Sequence, residues 1–201
     1  MKTDEKNIIV TEVLSEEEIS RIYSILENPN NTYVMKFFTQ TISDFNLPQD
    51  IERKIISYCE EISGQDNLEI AEYQFARYKN VFDEESNTLL RPNLIPHCDL
   101  TFEEPRFTFD YQVGGNTQWD LVVEEKDFSL KNNQALTFSG THQVHWRKPK
   151  IFEDDEYIDM IFFHLRKINS AKYSEEEKSV VEAKIEKYTK TYNEELSNVQ
   201  N

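Results

Sequence analysis

The spacing of apolar residues changes along this chain, and each change marks an element. Ile8-Ile9-Val10 is a short β-branched run that predicts an edge strand. Ile19, Ile22, Tyr23 and Leu26 then recur at helical spacing and predict a helix with one buried face. Ser15 followed by Glu18 is a capping-box pattern, which places the helix start near Glu16. Asn28-Pro29-Asn30-Asn31 ends it, since Pro cannot continue a helix and Asn favours turns. Val34, Phe37 and Phe38 fall in a stretch that reads as strand or irregular segment. Pro48, followed by Ile51, Ile55, Ile56 and Cys59 at helical spacing, predicts a second amphipathic helix that stops near Gly64.

From Leu68 to His164 the period falls toward two. Ile70–Tyr78 alternates loosely, whereas Phe107, Phe109, Tyr111 and Val113 alternate cleanly with Arg106, Thr108, Asp110 and Gln112. Gly114-Gly115-Asn116 marks a turn, with Trp119–Val123 as the returning strand. Ala135–Ser139 and Tyr157–Leu165 add two more strands. Short strands joined by turns, with no helices between them, predict an antiparallel sandwich or barrel with the two earlier helices over one face. Ser174 with Glu177 opens a charged C-terminal helix. Its narrow apolar stripe of Val181, Ile185, Tyr188, Tyr192 and Leu196 is expected to pack on the domain rather than in a dimer. No repeat or linker interrupts the pattern. The chain therefore reads as one α+β, mainly β, domain over residues 1–201. Its parts are a helical N-terminal part (1–66), a β core (67–167) and a C-terminal helix (174–198).

Composition narrows the function classes. With only 4 Gly residues and no Walker-type or Gly-x-Gly-x-x-Gly run, nucleotide enzymes of either type have no support. A net charge of −16, from 22 basic and 38 acidic residues, disfavours duplex nucleic acid as a partner, because phosphate affinity comes from Lys and Arg. A peptide, amino acid or other small molecule suits this balance better. The two cysteines, Cys59 and Cys98, form no disulfide framework, and Cys59 falls on the apolar face of the second helix. Met1–Asn7 lacks the apolar run of a signal peptide, and no stretch approaches the ~18 apolar residues of a membrane span. A cytoplasmic location is expected, with no membrane partner, as monomer or dimer.

All four histidines, His97, His142, His145 and His164, lie in the β region. His97 and Asp99, two apart on a strand, put an imidazole and a carboxylate on one face. A second His about fifty residues later completes two His and one carboxylate, a facial set that leaves metal positions open. A lone strand His is ordinarily structural; it is the combination, inside a β core, that points to chemistry.

The combination carries a resemblance. An Arg77-Tyr78 strand precedes His97-Cys98-Asp99, and Phe138-Ser139-Gly140 leads toward His145-Trp146-Arg147 with Pro149 following. Over Leu68–Leu165 this layout resembles the Fe(II)/2-oxoglutarate-dependent dioxygenase superfamily, nearest its prolyl-hydroxylase-like branch, and the Val13–Ile19 segment suits that family's N-terminal region. The resemblance implies a double-stranded β-helix (jelly-roll) core flanked by N-terminal helices and a C-terminal helix. It implies Fe(II) held by His97, Asp99 and a distal His, with 2-oxoglutarate and dioxygen as co-substrates and a hydroxylated substrate. His145 is favoured over His142 as the distal ligand, because it stands seven residues after Phe138 and leads into Trp146-Arg147.

One part of the pattern departs. Members of the family place an Arg or Lys at the start of the last core strand to anchor 2-oxoglutarate, but here that region reads Glu153-Asp154-Asp155-Glu156-Tyr157. A dianionic co-substrate still needs a cation, preferably a bidentate guanidinium. Arg147 is the first candidate, since on a continuing strand it shares a face with His145; Arg106 is the second, and Tyr78 can donate a hydrogen bond to the same carboxylate. Cys98 is expected to point away from the metal. His164 reads as a structural residue, with a place facing the cavity near the co-substrate as its alternative, and Trp119 and Trp146 read as core aromatics. The missing base leaves a contrasting reading: a non-catalytic, cupin-like metal-binding or structural module.

Overall fold

A computed structural model of the chain describes residues 7–28, 31, 34–36, 39–42, 45–99, 104 and 106–199. Its strands are β1 (Ile8–Thr11), β2 (Val34–Lys36), β3 (Thr39–Ile42), β4 (Leu68–Lys79), β5 (Val81–Asp83), β6 (Thr88–Leu90), β7 (Phe107–Gly115), β8 (Leu121–Val123), β9 (Lys126–Phe128), β10 (Gln134–Phe138), β11 (His145–Arg147) and β12 (Tyr157–Lys167). Helices are α1 (Glu16–Leu26), α2 (Gln49–Ser63) and α3 (Glu175–Val199). Seven strands form one antiparallel sheet in the order β1-β10-β7-β12-β4-β3-β2, and three form a second in the order β11-β8-β9. β5 and β6 pair as a separate hairpin.

The layers follow from the side-chain periods. α1 starts where its capping box predicts: Ser15 Oγ accepts from Glu18 N, while Glu18 Oε2 accepts from Ser15 N at 2.7 Å. Gly64 stops α2 by turning left-handed, φ 65°. Ile22, Leu26, Ile51, Ile55 and Cys59 from these helices bury against Phe75, Phe109, Tyr111, Ile161 and Phe163 on one face of the large sheet. The small sheet covers the other face, where Tyr78, Leu121, Leu136, Phe138 and Met160 form the core between the sheets. α3 then lies on the outer face of the small sheet, its Val181, Tyr188 and Tyr192 against Val122 and Trp146. The stripe on α3 thus packs on the domain.

The two-sheet antiparallel core with flanking helices is a jelly-roll, and β1 lies at a sheet edge as its short β-branched run predicts. One expectation needs correction. Trp119–Val123 does not return beside β7: β7 pairs with β10 and β12, while β8 pairs with β9 and β11. The turn after Gly115 carries the chain across to the opposite sheet, because both edges of β7 are already occupied. The N-terminal third also supplies three strands, β1 to β3, besides its two helices. Phe37 and Phe38 lie outside the described residues. No helix among the described residues is long and apolar enough to cross a membrane.

One polar link fixes the helical layer to the sheet. Asp159, fully buried on β12, takes two bonds from the Arg77 guanidinium at 2.7 and 2.8 Å and a third from Tyr23 of α1 at 3.0 Å. A buried carboxylate is tolerated when its oxygens are so paired. Arg77 therefore serves the helix side of β4, while its neighbour Tyr78 faces between the sheets.

Candidate metal site

β11 and the segment before β7 build the site. His97 is not part of a continuous strand; it makes an isolated antiparallel bridge to His145, with His97 N donating to His145 O at 3.1 Å and the reverse bond at 2.9 Å. Asp99 is then fixed by its own N–H, which donates to Gly140 O at 2.8 Å. The result brings His97, Asp99 and His145 together, with one ligand atom from each all within 4.8 Å of one another.

Both imidazoles are oriented in the same way. His97 Nδ1 lies 2.7 Å from Ile95 O, and His145 Nδ1 lies 3.1 Å from Gln143 O. A carbonyl only accepts, so each Nδ1 carries the proton and each Nε2 keeps its lone pair for a metal. His145 Nε2 stands 3.7 Å from Asp99 Oδ1. Burial, followed by the neighbouring His145, pushes His97 down to about 4; burial also pushes His145 down to about 4. Both rings are therefore neutral at pH 7, the form that ligates. Burial raises Asp99, against the pull of His164 and His97. Two neutral imidazoles and a carboxylate short of countercharge form a set that a divalent cation satisfies.

Gly140 leaves the room that Asp99 needs. A Cβ there would fall on Asp99 Oδ2 and Thr108 Oγ1. Thr108 in turn donates to Asp99 Oδ2 at 3.4 Å, and His164 Nδ1 lies 3.6 Å from the same oxygen. His164 thus faces the metal side, beside a register shift of β12 after His164, rather than serving only as a strand residue.

His142 is outside the group: its Nδ1 contacts Ser139 Oγ and Tyr173 OH, and its ring packs edge-on to Tyr173 at 4.7 Å. Cys98 points away, into the core under α3, where burial raises its thiol. Trp119 and Trp146 are core aromatics, one between the sheets and one under α3.

The candidate anchors separate to the two sides of the metal triad. Arg147 shares the inner face of β11 with His145 and is 1% exposed. Its guanidinium donates to Trp119 O and to Met160 Sδ, over the Tyr78 and Trp119 rings at 5.7 and 5.2 Å. Its buried Nε donates to nothing among the described residues. An uncommitted guanidinium N–H beside the metal triad fits a carboxylate ligand. Arg106, on the other side of Thr108 along β7, is bound to Glu104 at 2.7 Å, which Arg166 also engages at 3.1 Å. Thr108, Gly140 and Asp110 were not singled out by sequence. The signal was there in the polar half of the β7 alternation, which is buried rather than solvated.

No protein-family model matches the sequence, and no curated protein matches it significantly. The fold, however, matches solved structures. The non-heme alpha ketoglutarate dependent epimerase SnoN from nogalamycin biosynthesis is 12% identical, with a TM-score of 0.63 over 85% of this chain and 82% of that one. An oxidoreductase of the 2OG-Fe(II) oxygenase family from Burkholderia pseudomallei is 13% identical, with a TM-score of 0.59 over 82% and 86%. EctD from S. alaskensis, solved with 2-oxoglutarate and 5-hydroxyectoine, is 11% identical, with a TM-score of 0.62 over 84% and 74%. At such identities the likeness is one of fold. The chain is a jelly-roll protein with the fold of Fe(II)/2-oxoglutarate oxygenases and a two-His, one-carboxylate cluster at its centre.

Proposed function

We propose that the protein is an Fe(II)- and 2-oxoglutarate-dependent oxygenase that hydroxylates a peptide, an amino acid or another small molecule. The single observation that carries this reading is the His97, Asp99 and His145 cluster, both of its imidazoles presenting Nε2 from one end of a jelly-roll. His97, Asp99 and His145 would hold Fe(II), which supplies oxidation of the substrate by dioxygen coupled to decarboxylation of 2-oxoglutarate to succinate. Arg147 would receive the far carboxylate of 2-oxoglutarate through its uncommitted Nε, with the Tyr78 ring 5.7 Å from the guanidinium and its hydroxyl as a second donor. Leu121, Leu136, Phe138 and Met160 belong to the same apolar core between the sheets, a low-dielectric setting that strengthens both contacts. Arg106, already engaged by Glu104, is the weaker anchor.

A small-molecule substrate draws support from the fold neighbours: SnoN is described in complex with nogalamycin RO, and HygX from Streptomyces hygroscopicus with hygromycin B. The test is succinate formation from 2-oxoglutarate with Fe(II) and no added substrate, compared with His97→Ala and His145→Ala. Turnover in the wild type that both substitutions abolish is the expected result. The acidic Glu153–Glu156 run, where a base would stand at the start of β12, favours the contrasting cupin-like module. That reading gains if the wild type binds metal yet forms no succinate.

A further inference from the structure

Asp110 is a carboxylate that the metal triad does not use. It lies mid-strand on β7, on the face that carries Thr108 and away from Phe109 and Tyr111, which belong to the helix-side core. It is 4% exposed, and no hydrogen bond from a described residue reaches it. Across the sheet it faces two apolar residues, Leu136 of β10 and Phe162 of β12. The next inward residue of β12 is Met160, whose sulfur meets Arg147 Nη2 at 3.3 Å. Diagonal neighbours in a sheet stand about 7–8 Å apart, so Asp110 lies within reach of the Met160 side chain that the Arg147 guanidinium meets.

The charged and titratable groups that face Asp110 are Asp99 from the segment before β7, Arg147 from β11 and Tyr78 from β4. Burial pushes its carboxyl up to about 8, with Asp99 adding repulsion and Arg147 opposing both. This sets a condition on any dianion that enters. A space with one guanidinium and one ionised carboxylate is balanced before the ligand arrives, so a second carboxylate would leave two buried anions on one cation. A carboxylic acid removes that conflict and turns the repelling group into an O–H donor.

We propose that Asp110 binds the far carboxylate of 2-oxoglutarate as a neutral acid, donating its O–H while Arg147 supplies the guanidinium and Tyr78 a second hydroxyl. The inference rests on the oxygenase reading above. The proton comes from solvent, remains on Asp110 throughout binding, and no covalent bond changes.

The test is calorimetric titration of 2-oxoglutarate into the Ni(II)-loaded protein from pH 6 to 9, in buffers of differing ionisation heat. Wild type is expected to take up a proton on binding at the alkaline end, where its affinity falls about tenfold per pH unit because only the protonated form is competent. Asp110→Asn keeps a donor without an ionisable group, so it binds without that uptake and with a flat profile. Binding by wild type with no proton uptake anywhere in this range overturns the inference and leaves the oxygenase reading standing. So does an Asp110→Asn profile as steep as the wild type's. Ni(II) uptake with no 2-oxoglutarate binding at any pH overturns both. Should Asp110→Asn fail to fold, the wild-type proton uptake still decides.

Discussion

His97 and His145 face each other across an isolated antiparallel bridge, their ring centroids 4.2 Å apart. Each uses its own Nδ1–H to bind the carbonyl two residues earlier, Ile95 O for one and Gln143 O for the other. The same local device therefore appears twice, once on each side of the bridge. It turns both Nε2 atoms the same way without help from any other element. A pair of exchanged backbone bonds locks the register of two segments that are distant in sequence, and the lock falls on the candidate ligand residues themselves.

Neutral, buried imidazoles make the metal-free protein sensitive to acid. Both rings are depressed from 6.5 to about 4 in the fold, so between those values the unfolded chain binds more protons than the native one. Their contribution to stability is complete above about 6.5 and is lost as pH falls toward 4. Asp99 and Asp110 are raised and act with the opposite sign, so the informative measurement is a comparison. Urea midpoints of metal-free wild type should fall relative to those of His145→Gln as pH drops from 6.5 to 4.5. A constant difference across that range would refute the assignment of neutral rings. Metal should leave the folded protein only as pH nears 4, the native value of both rings, because protonated imidazoles cannot ligate.

Gly140 is the one position in the Asp99 surround where a single methyl group should uncouple metal binding from folding. A Cβ there would meet Asp99 Oδ2 and Thr108 Oγ1, while the backbone bond from Asp99 N to Gly140 O would survive. The carboxylate must then swing out of the triad. Gly140→Ala is expected to weaken Ni(II) or Fe(II) binding by about 10–100-fold, the scale of a lost supporting contact. Titration calorimetry checks the affinity and a melting curve checks the fold. Unchanged affinity would show that Asp99 can hold the metal from a second rotamer.

Which of these features could be read from the chain depends on how local their causes are. Both capping boxes, the Gly64 stop and the β7 alternation depend on neighbouring residues, and they fall where the pattern puts them. The spacing that favoured His145 also singles out the His that joins His97 and Asp99. Trp119–Val123 was misplaced because a turn signal says that the chain reverses, not which sheet receives it. His164 looked structural because a strand pattern shows which residues share a face, not what covers that face. Thr108 and Asp110 were hidden for the same reason. Their polar face would be solvated on an ordinary outer sheet, and becomes a site only because the small sheet closes over it.

Arg147 and Arg106 make opposite predictions. Among the described residues Arg147 pairs with no carboxylate, whereas Arg106 is held by Glu104. A charge-assisted hydrogen bond contributes about 1.5–3 kcal/mol, so Arg147→Ala should weaken 2-oxoglutarate binding by at least about tenfold while leaving metal affinity in place. Arg147→Lys keeps the charge but loses the planar fork, and should recover only part of the loss. Arg106→Ala should leave 2-oxoglutarate affinity near wild type. The reverse order, measured by titration of the Ni(II)-loaded variants, would move the anchor to the Arg106 side of the metal.

α3 holds the back of the site. Cys98 alternates outward from between His97 and Asp99, and Trp146 from between His145 and Arg147; both enter the core under α3. Trp146 meets the Tyr188 ring at 5.1 Å, while Lys184 of the same helix reaches His142 O at 3.3 Å and Glu124 at 2.7 Å. β11 is only three residues long and pairs with a three-residue β8, so backbone bonds alone hold it weakly. Tyr188→Ala removes the ring that backs Trp146 and should cost about 3 kcal/mol of stability, toward the low end for a buried aromatic because Tyr188 is 8% exposed. A drop in metal affinity is expected with it, since the strand that presents His145 and Arg147 loses its support. Denaturation and metal titration on the same variant separate the two effects. A loss of stability with full metal affinity would mean that the helix shields the small sheet without positioning the ligands.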